Sequence, residues 1–391
     1  MKVVFAHDHI FKKDSEGNLY TTGSFNNKVW LRYLEYFEEV VVTARLDSKT
    51  IDKGKSYNNF DLEQTSFVNI PNLSGPLAQF KNKASAIEKL KSELSTADAL
   101  IARLPSEIGN LAIQVAKSLN VPYVIEVVAC VWDALWNYGS IQAKLYAPIA
   151  FWKMQNNIKR SLYSIYVTNS FLQTRYPTNG KSINISNVEI KEVEKSVLEK
   201  RLNKTRDNNQ HFVIGMIGSL KNKIKGLDTA LKAMQVLKNN NYNFTFRILG
   251  DGDNTEWLKV ATELEVEESV EFCGVLPGGE PVFQWLDEVD IYIQPSYQEG
   301  LPRAIIEAMS RACPVVGSTA GGIPELIDKS CVHPPGDYTL LYEKVKNIII
   351  NQEYEQSLSE ENYKNAKLYT KDILDIRRSQ FFNEFLKCKK E

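Results

Sequence analysis

Neither sign of charge prevails in this chain of 391 residues: 47 Lys and Arg stand against 48 Asp and Glu. Proteins that bind nucleic acid normally carry a cationic surplus to neutralise phosphates, so no such partner is expected and any basic surface is local. The five cysteines, Cys130, Cys273, Cys313, Cys331 and Cys388, are odd in number and scattered, without a C-x-x-C pair. That excludes a disulfide framework and a zinc site of the usual spacing, leaving reduced thiols used in packing. No apolar run approaches the ~18 residues of a spanning helix, and the start, MKVVFAHDHIFKKD, lacks the basic end and apolar stretch of a signal peptide. A cytoplasmic chain is expected, with peripheral contact at the inner face of a membrane left open.

What the sequence does contain is alternation. Short β-branched runs at 3–6, 40–44, 99–103, 123–128 and 165–168 are separated by helical patterns at 26–38, 84–94, 108–119 and 143–161. Alternation of this kind marks parallel sheets covered by helices. It dissolves in the polar stretch 183–210, then resumes with strands expected at 212–217, 244–249, 270–273, 291–294 and 314–317. The length exceeds what one core normally supports. The expected fold is therefore α/β, with a first domain over 1–190, a second over 191–370 and a C-terminal helix over 371–391.

Ligands of open α/β sheets bind outside the carboxyl ends of strands, so the loops that follow strands carry the functional signal. GSLKNKIKG (218–226) is a glycine-flanked turn opening a helix, with Lys221, Lys223 and Lys225 beside unpaired backbone N–H groups. This suits a diphosphate, although three loop lysines also describe a solvated face. In ILGDGD (248–253), Gly250 and Gly252 allow close backbone approach to a ligand or simply a strand-to-helix turn. In PSYQEGLPRAIIEAM (295–309), Pro302 suits the first turn of a helix whose buried stripe includes Ala304, Ile305, Ala308 and Met309. Glu299 precedes that helix and Glu307 lies off the stripe, so both can line one pocket without touching. The plainer readings are a carboxylate at the helix N-terminus and an ion pair of Glu307 with Arg303.

Taken in order, GSLKNKIKG, ILGDGD followed by VEFCGVLP, and EGLPRAIIE resemble the retaining glycosyltransferases of family four, and PVVGSTAGGIPELI (314–327) does too. The resemblance is specific over about 213–328. It implies the GT-B fold, two facing Rossmann-like domains with the C-terminal helix packing back on the first. It also implies a nucleotide-sugar donor, UDP-sugar foremost, a glycan or lipid-linked sugar acceptor, polysaccharide biosynthesis and no metal or other cofactor. Carried over by residue, Glu299 meets the donor sugar, Glu307 the ribose hydroxyls and Lys225 the leaving diphosphate. Gly300 and Leu301 supply backbone amides beside Pro302, while Gly218, Ser219, Lys221, Gly250, Gly252 and Val275 complete the donor side. Ser219 stands where many members have arginine, which throws weight on Lys221.

The acceptor side departs further from that pattern. A histidine common at the end of a first-domain strand is missing from EVVACVWDALWNYG (126–139), leaving Asp133 as a polar candidate. Gly23 and Ser24, before a helix, are candidates for the glycine loop near the donor phosphates. Arg103 follows a predicted strand and faces either an anionic acceptor or a structural partner. His7, Asp8 and His9 form a cluster, but with four histidines in the chain and no third ligand at recognisable spacing they are expected to hydrogen-bond rather than hold a metal. YAPIAFWKMQNNIKRSLYSIY (146–166) mixes aromatics with Lys153, Lys159 and Arg160, a pattern of core packing or of contact with a membrane surface. A catalytically silent sugar-binding partner is the alternative to an active enzyme, and retention of Glu299, Glu307 and Lys225 favours the enzyme.

Overall fold

The computed structural model describes residues 1–23, 25–51, 57–206 and 211–387. The strands of the first half are β1 (Lys2–Asp14), β2 (Leu19–Thr21), β3 (Glu39–Ile51), β4 (Asn58–Asn59), β5 (Thr65–Asn69), β6 (Ala99–Leu104), β7 (Tyr123–Val127), β8 (Tyr163–Tyr166) and β9 (Lys181–Asn184). They form one sheet. Residues 3–6 of β1 lie between β3 and β6, all parallel, with β5 beyond β3 and β7, β8 and β9 beyond β6. Its centre is buried on both faces, which is why Val3–Ala6 and residues 99–102 read as unbroken apolar runs.

The first strand runs on past Ala6, where the sequence pattern predicts a loop. It passes through the His7–His9 cluster to Asp14 and pairs antiparallel with β2 through Lys12 and Lys13. Asp14 closes this hairpin by accepting from the backbone of Glu16 and Asn18 and from the Tyr20 hydroxyl. The continuation lies between β3 and β2, and its mostly polar residues carry little hydrophobic periodicity, which leaves the strand invisible in the sequence.

The second sheet holds β10 (His211–Ile217), β11 (Asn243–Leu249), β12 (Val270–Phe272), β13 (Ile291–Gln294), β14 (Val315–Ser318) and β15 (Val332–His333), in the order β12-β11-β10-β13-β14-β15, all parallel. Strand order reverses between β10 and β13. The loops leaving these neighbours turn to opposite sides and open a crevice at their carboxyl ends.

The polar stretch between the sheets contains a helix, Lys195–Arg206, which the sequence pattern does not announce. Arg201 anchors it. Its buried guanidinium donates to the carbonyls of Val289, Leu286 and Arg311, so a charged residue takes the place of an apolar stripe. The C-terminal helix, Lys371–Lys387, returns to the first domain: Phe382 packs on Tyr33, Tyr36 and Phe37, and Phe381 and Phe385 on Tyr163. Its N-terminus lies beside the outgoing chain, with Lys371 N–H on the Ile190 carbonyl at 2.9 Å.

Candidate functional site

The crevice between β10 and β13 is held by backbone contacts between its two loops. Tyr297 N–H donates to the Ile224 carbonyl at 2.8 Å. Gly226 has φ of +75°, and a Cβ there would lie 2.0 Å from the Pro295 carbonyl oxygen, so glycine is required both for the turn and for the approach. This seats Lys225 against Gly218 and directs its Nζ to Glu299 Oε1 at 2.7 Å.

Glu299 is buried, and its carboxylate ends a chain of hydrogen bonds that runs back into the sheet. Ile217 N–H donates to the Tyr292 hydroxyl, which donates to Gln294 Oε1 at 2.6 Å. Gln294 Nε2 donates to Ser296 Oγ, and both Gln294 and Ser296 donate to Glu299 Oε1, at 3.3 and 2.8 Å. Every donor along this line is used, which fixes the carboxylate's orientation before any ligand arrives. An ammonium and a carboxylate presented together suit a ligand with a phosphate at one end and hydroxyls at the other.

Glu307, about one turn into the helix Arg303–Ser310, lies on the wall of a cavity of about 440 Å³ between the domains. Burial pushes its carboxyl above the usual range, the Arg303 guanidinium offsets part of this, and Glu189 adds to the rise. Ile217, Gly250, Val275 and Leu276 line the same cavity from the second domain. Gly23, Phe25, Arg32 and Arg103 face them from the first. Arg103 is held by Glu126 at 3.5 Å and lies 5.2 Å from the Phe25 ring centre, while the Tyr33 hydroxyl donates to Glu126 at 2.7 Å. The guanidinium therefore forms wall and structural pair at once.

The remaining sequence candidates fall in several places. Ser219 Oγ donates to the Asp251 carbonyl, and Lys221 pairs with the Asp251 carboxylate, whose pKa that ammonium lowers. Gly250 sits against the Gly218 carbonyl, and Gly252 against Leu220 and Lys221. Gly300 touches the first domain, since a Cβ there would lie 2.1 Å from the Val128 carbonyl oxygen. Leu301 is buried, and Pro302 is the cap residue just before the helix Arg303–Ser310 rather than inside its first turn. Asp133 is engaged by Arg175 at 2.7 Å and stands outside the cavity lining. Ser24 lies outside the described residues. Both Asp8 oxygens accept from the N-terminal amides of the helix Glu107–Ser118, and burial lowers the pKa of His7 and takes that of His9 to about 4.

Residues 211–351 match the family model described as glycosyl transferases group 1. Protein CapJ of Staphylococcus aureus is 32% identical over 381 residues, covering 97% of this chain and 94% of CapJ. The chain belongs to the group 1 glycosyl transferases. The amylovoran biosynthesis glycosyltransferase AmsK of Erwinia amylovora is 38% identical over 123 residues, 29% of this chain and 30% of AmsK. Among solved structures, Anabaena HepE in complex with UDP-glucose superposes with a TM-score of 0.65 at 18% identity, covering 99% of this chain and 100% of HepE. The fold is GT-B, and the protein is a glycosyltransferase.

In this glycosyltransferase the sequence left Tyr292, Gln294, Ser296 and Tyr297 unassigned. One signal was available for Gln294: an amide ending the apolar strand IYIQ, next to a carboxylate loop. The Tyr297 hydroxyl, which donates to Asp228 and meets Thr229 at 3.1 Å, depends on the packing of two distant loops and leaves no local trace.

Proposed function

We propose that this glycosyltransferase belongs to the retaining, metal-independent family four and transfers a hexose from a UDP-sugar to a glycan or lipid-linked acceptor. The supporting observation is the Lys225–Glu299 pair at the strand switch point, with Glu307 on the adjoining cavity. Glu307 accepts from the ribose hydroxyls, and the diphosphate lies over the 218–226 turn with Lys225 at the leaving oxygen. Glu299, held through Oε1, offers Oε2 to the sugar hydroxyls. The bond between the anomeric carbon and the diphosphate oxygen breaks as the acceptor oxygen attacks from the same face, and the acceptor's proton passes to the departing phosphate. Negative charge grows on the diphosphate, where a preorganised ammonium and backbone amides lower the barrier. HepE, of the same fold, is solved with UDP-glucose, which favours the uridine nucleotide.

Thermal shift with UDP, GDP, ADP and their sugars tests the donor. A ligand at 100 times its dissociation constant stabilises the fold by about 2.7 kcal/mol. UDP and one UDP-sugar are expected to do so in the presence of chelator, and NMR of the product is expected to show the donor's anomeric configuration. Stabilisation by none of them, or an inverted product, contradicts the reading.

A further inference from the structure

The helix Ile141–Lys159 is apolar on two faces. Ala147, Ala150, Met154 and Ile158 turn inward, while Ile141, Leu145, Ile149 and Trp152, spaced by four, four and three, form a second stripe pointing out. Ile141 is 77% exposed, Leu145 74% and Trp152 66%, so this stripe has no cover among the described residues. A helix with a second apolar stripe normally lies in a core or against lipid.

The neighbouring surface continues the pattern. Glu107 accepts from Tyr146 and Lys153, and Gln79 hydrogen-bonds Tyr146, which brings the helix Pro76–Leu94 alongside. That helix exposes Leu77 and, at 89%, Phe80. On the other side Trp136 and Tyr138 are exposed before the helix begins. The charge here is mainly basic, although Glu107 pairs with Lys153. Ile141–Lys159 contains Lys144, Lys153 and Lys159 and no Asp or Glu, and Lys81, Lys83 and Arg160 are exposed beside it. In a chain of net charge -1 this is a local concentration.

We propose that this face of the first domain docks on a bilayer containing anionic lipid. Aromatic and aliphatic side chains enter the interfacial region while the lysines meet the headgroups. Among the described residues no helix is long and apolar enough to cross a membrane, so the contact is peripheral. The patch also borders the crevice: Asn137, between Trp136 and Tyr138, donates to the Tyr297 carbonyl at 3.4 Å, two residues from Glu299. Resting on the donor-site reading above, this orientation assigns the acceptor to the lipid-anchored class, presented at the membrane edge of the crevice.

Co-sedimentation with vesicles reads the docking independently of catalysis. The full chain is expected to bind phosphatidylcholine vesicles carrying about 30% phosphatidylglycerol more tightly than pure phosphatidylcholine, and to weaken in about 0.5 M salt. The double variant Leu145→Ser/Trp152→Ser is expected to lose affinity about tenfold or more, as is Lys81→Glu/Lys144→Glu, while Ile376→Ser, on the exposed side of the C-terminal helix, binds normally. Equal UDP-induced thermal shifts in all variants show that the fold and donor site survive. Failure of the wild type to bind anionic vesicles, or undiminished binding by both double variants, overturns the proposal. So does a wild-type dimer that Leu145→Ser/Trp152→Ser converts to a monomer, because the stripe would then be covered by a second copy.

Discussion

Lys225 and Glu299 differ in how they are held. Glu299 keeps Ser296 and Gln294 as donors when the ammonium is removed, whereas Lys225 reaches the crevice only through the Gly226 turn. Lys225→Ala is therefore expected to leave the melting temperature within a few degrees of wild type and to lower kcat by about 10²–10³, the usual cost of one lost charge-stabilising donor. Ser296→Ala acts through Glu299, and it is expected to lower kcat about tenfold with the KM for acceptor unchanged, Ser296→Thr restoring part of it. Steady-state kinetics separates these outcomes from a general loss of fold. A different residue contributes to the pH dependence of stability. Glu355 is buried near Asp290, and burial first, then that carboxylate, pushes its pKa from 4.5 up to about 7. Between those values the folded chain holds a proton that the unfolded chain has released, so its contribution to stability is lost as pH rises through about 7. The loss is at most about 3 kcal/mol. Glu355→Gln should flatten this part of the profile of melting temperature against pH between 5 and 8, and an unchanged slope would place the titration elsewhere.

At the scale of elements, the two domains are joined by groups contributed to each other's helix ends and loops. Glu325, from the loop after β14, accepts from the backbone N–H groups of Asn169, Ser170 and Phe171 and from the Ser170 hydroxyl, at the start of the helix Phe171–Arg175. One carboxylate thus takes up amides that a short helix cannot satisfy itself, across the domain boundary. Glu325→Ala should open the crevice, increasing the radius of gyration seen by small-angle scattering and raising the KM for donor. Glu325→Gln should recover only part of this, because an amide oxygen accepts more weakly than a carboxylate. Identical scattering and kinetics in Glu325→Ala would mean that closure rests on the other contacts between the domains, such as Gly300 against Val128 and Asn137 on Tyr297. Strands such as β10 and β13 were legible because buried parallel strands are written as continuous apolar runs. The hairpin at Asp14 and the helix around Arg201 were not, since both are stabilised by polar contacts, local ones at Asp14 and ones to partners remote in sequence at Arg201.

For the whole molecule, the C-terminal helix acts as the strap between domains. Removing Lys371–Lys387 would uncover Tyr33, Tyr36, Phe37 and Tyr163 together, an aromatic surface that the helix otherwise buries with Phe381, Phe382 and Phe385. Such a truncation is expected to be recovered mainly in the insoluble fraction, and a soluble, monodisperse product would show that the strap is dispensable. The sequence by itself determined the class of fold, the two repeats of alternating strand and helix, and the segments 218–226 and 295–309 as the loops to watch. Those features are encoded by residues adjacent in the chain. Only the tertiary structure decided that Lys225 lies on Glu299, that Arg103 is shared between a cavity wall and Glu126, and that Asp133 is taken by Arg175. It alone decided too that the stripe from Ile141 to Trp152 faces outward. Each is a pairing, or the lack of one, between elements far apart in sequence, and a helix with two apolar stripes carries no local mark of which one will be covered.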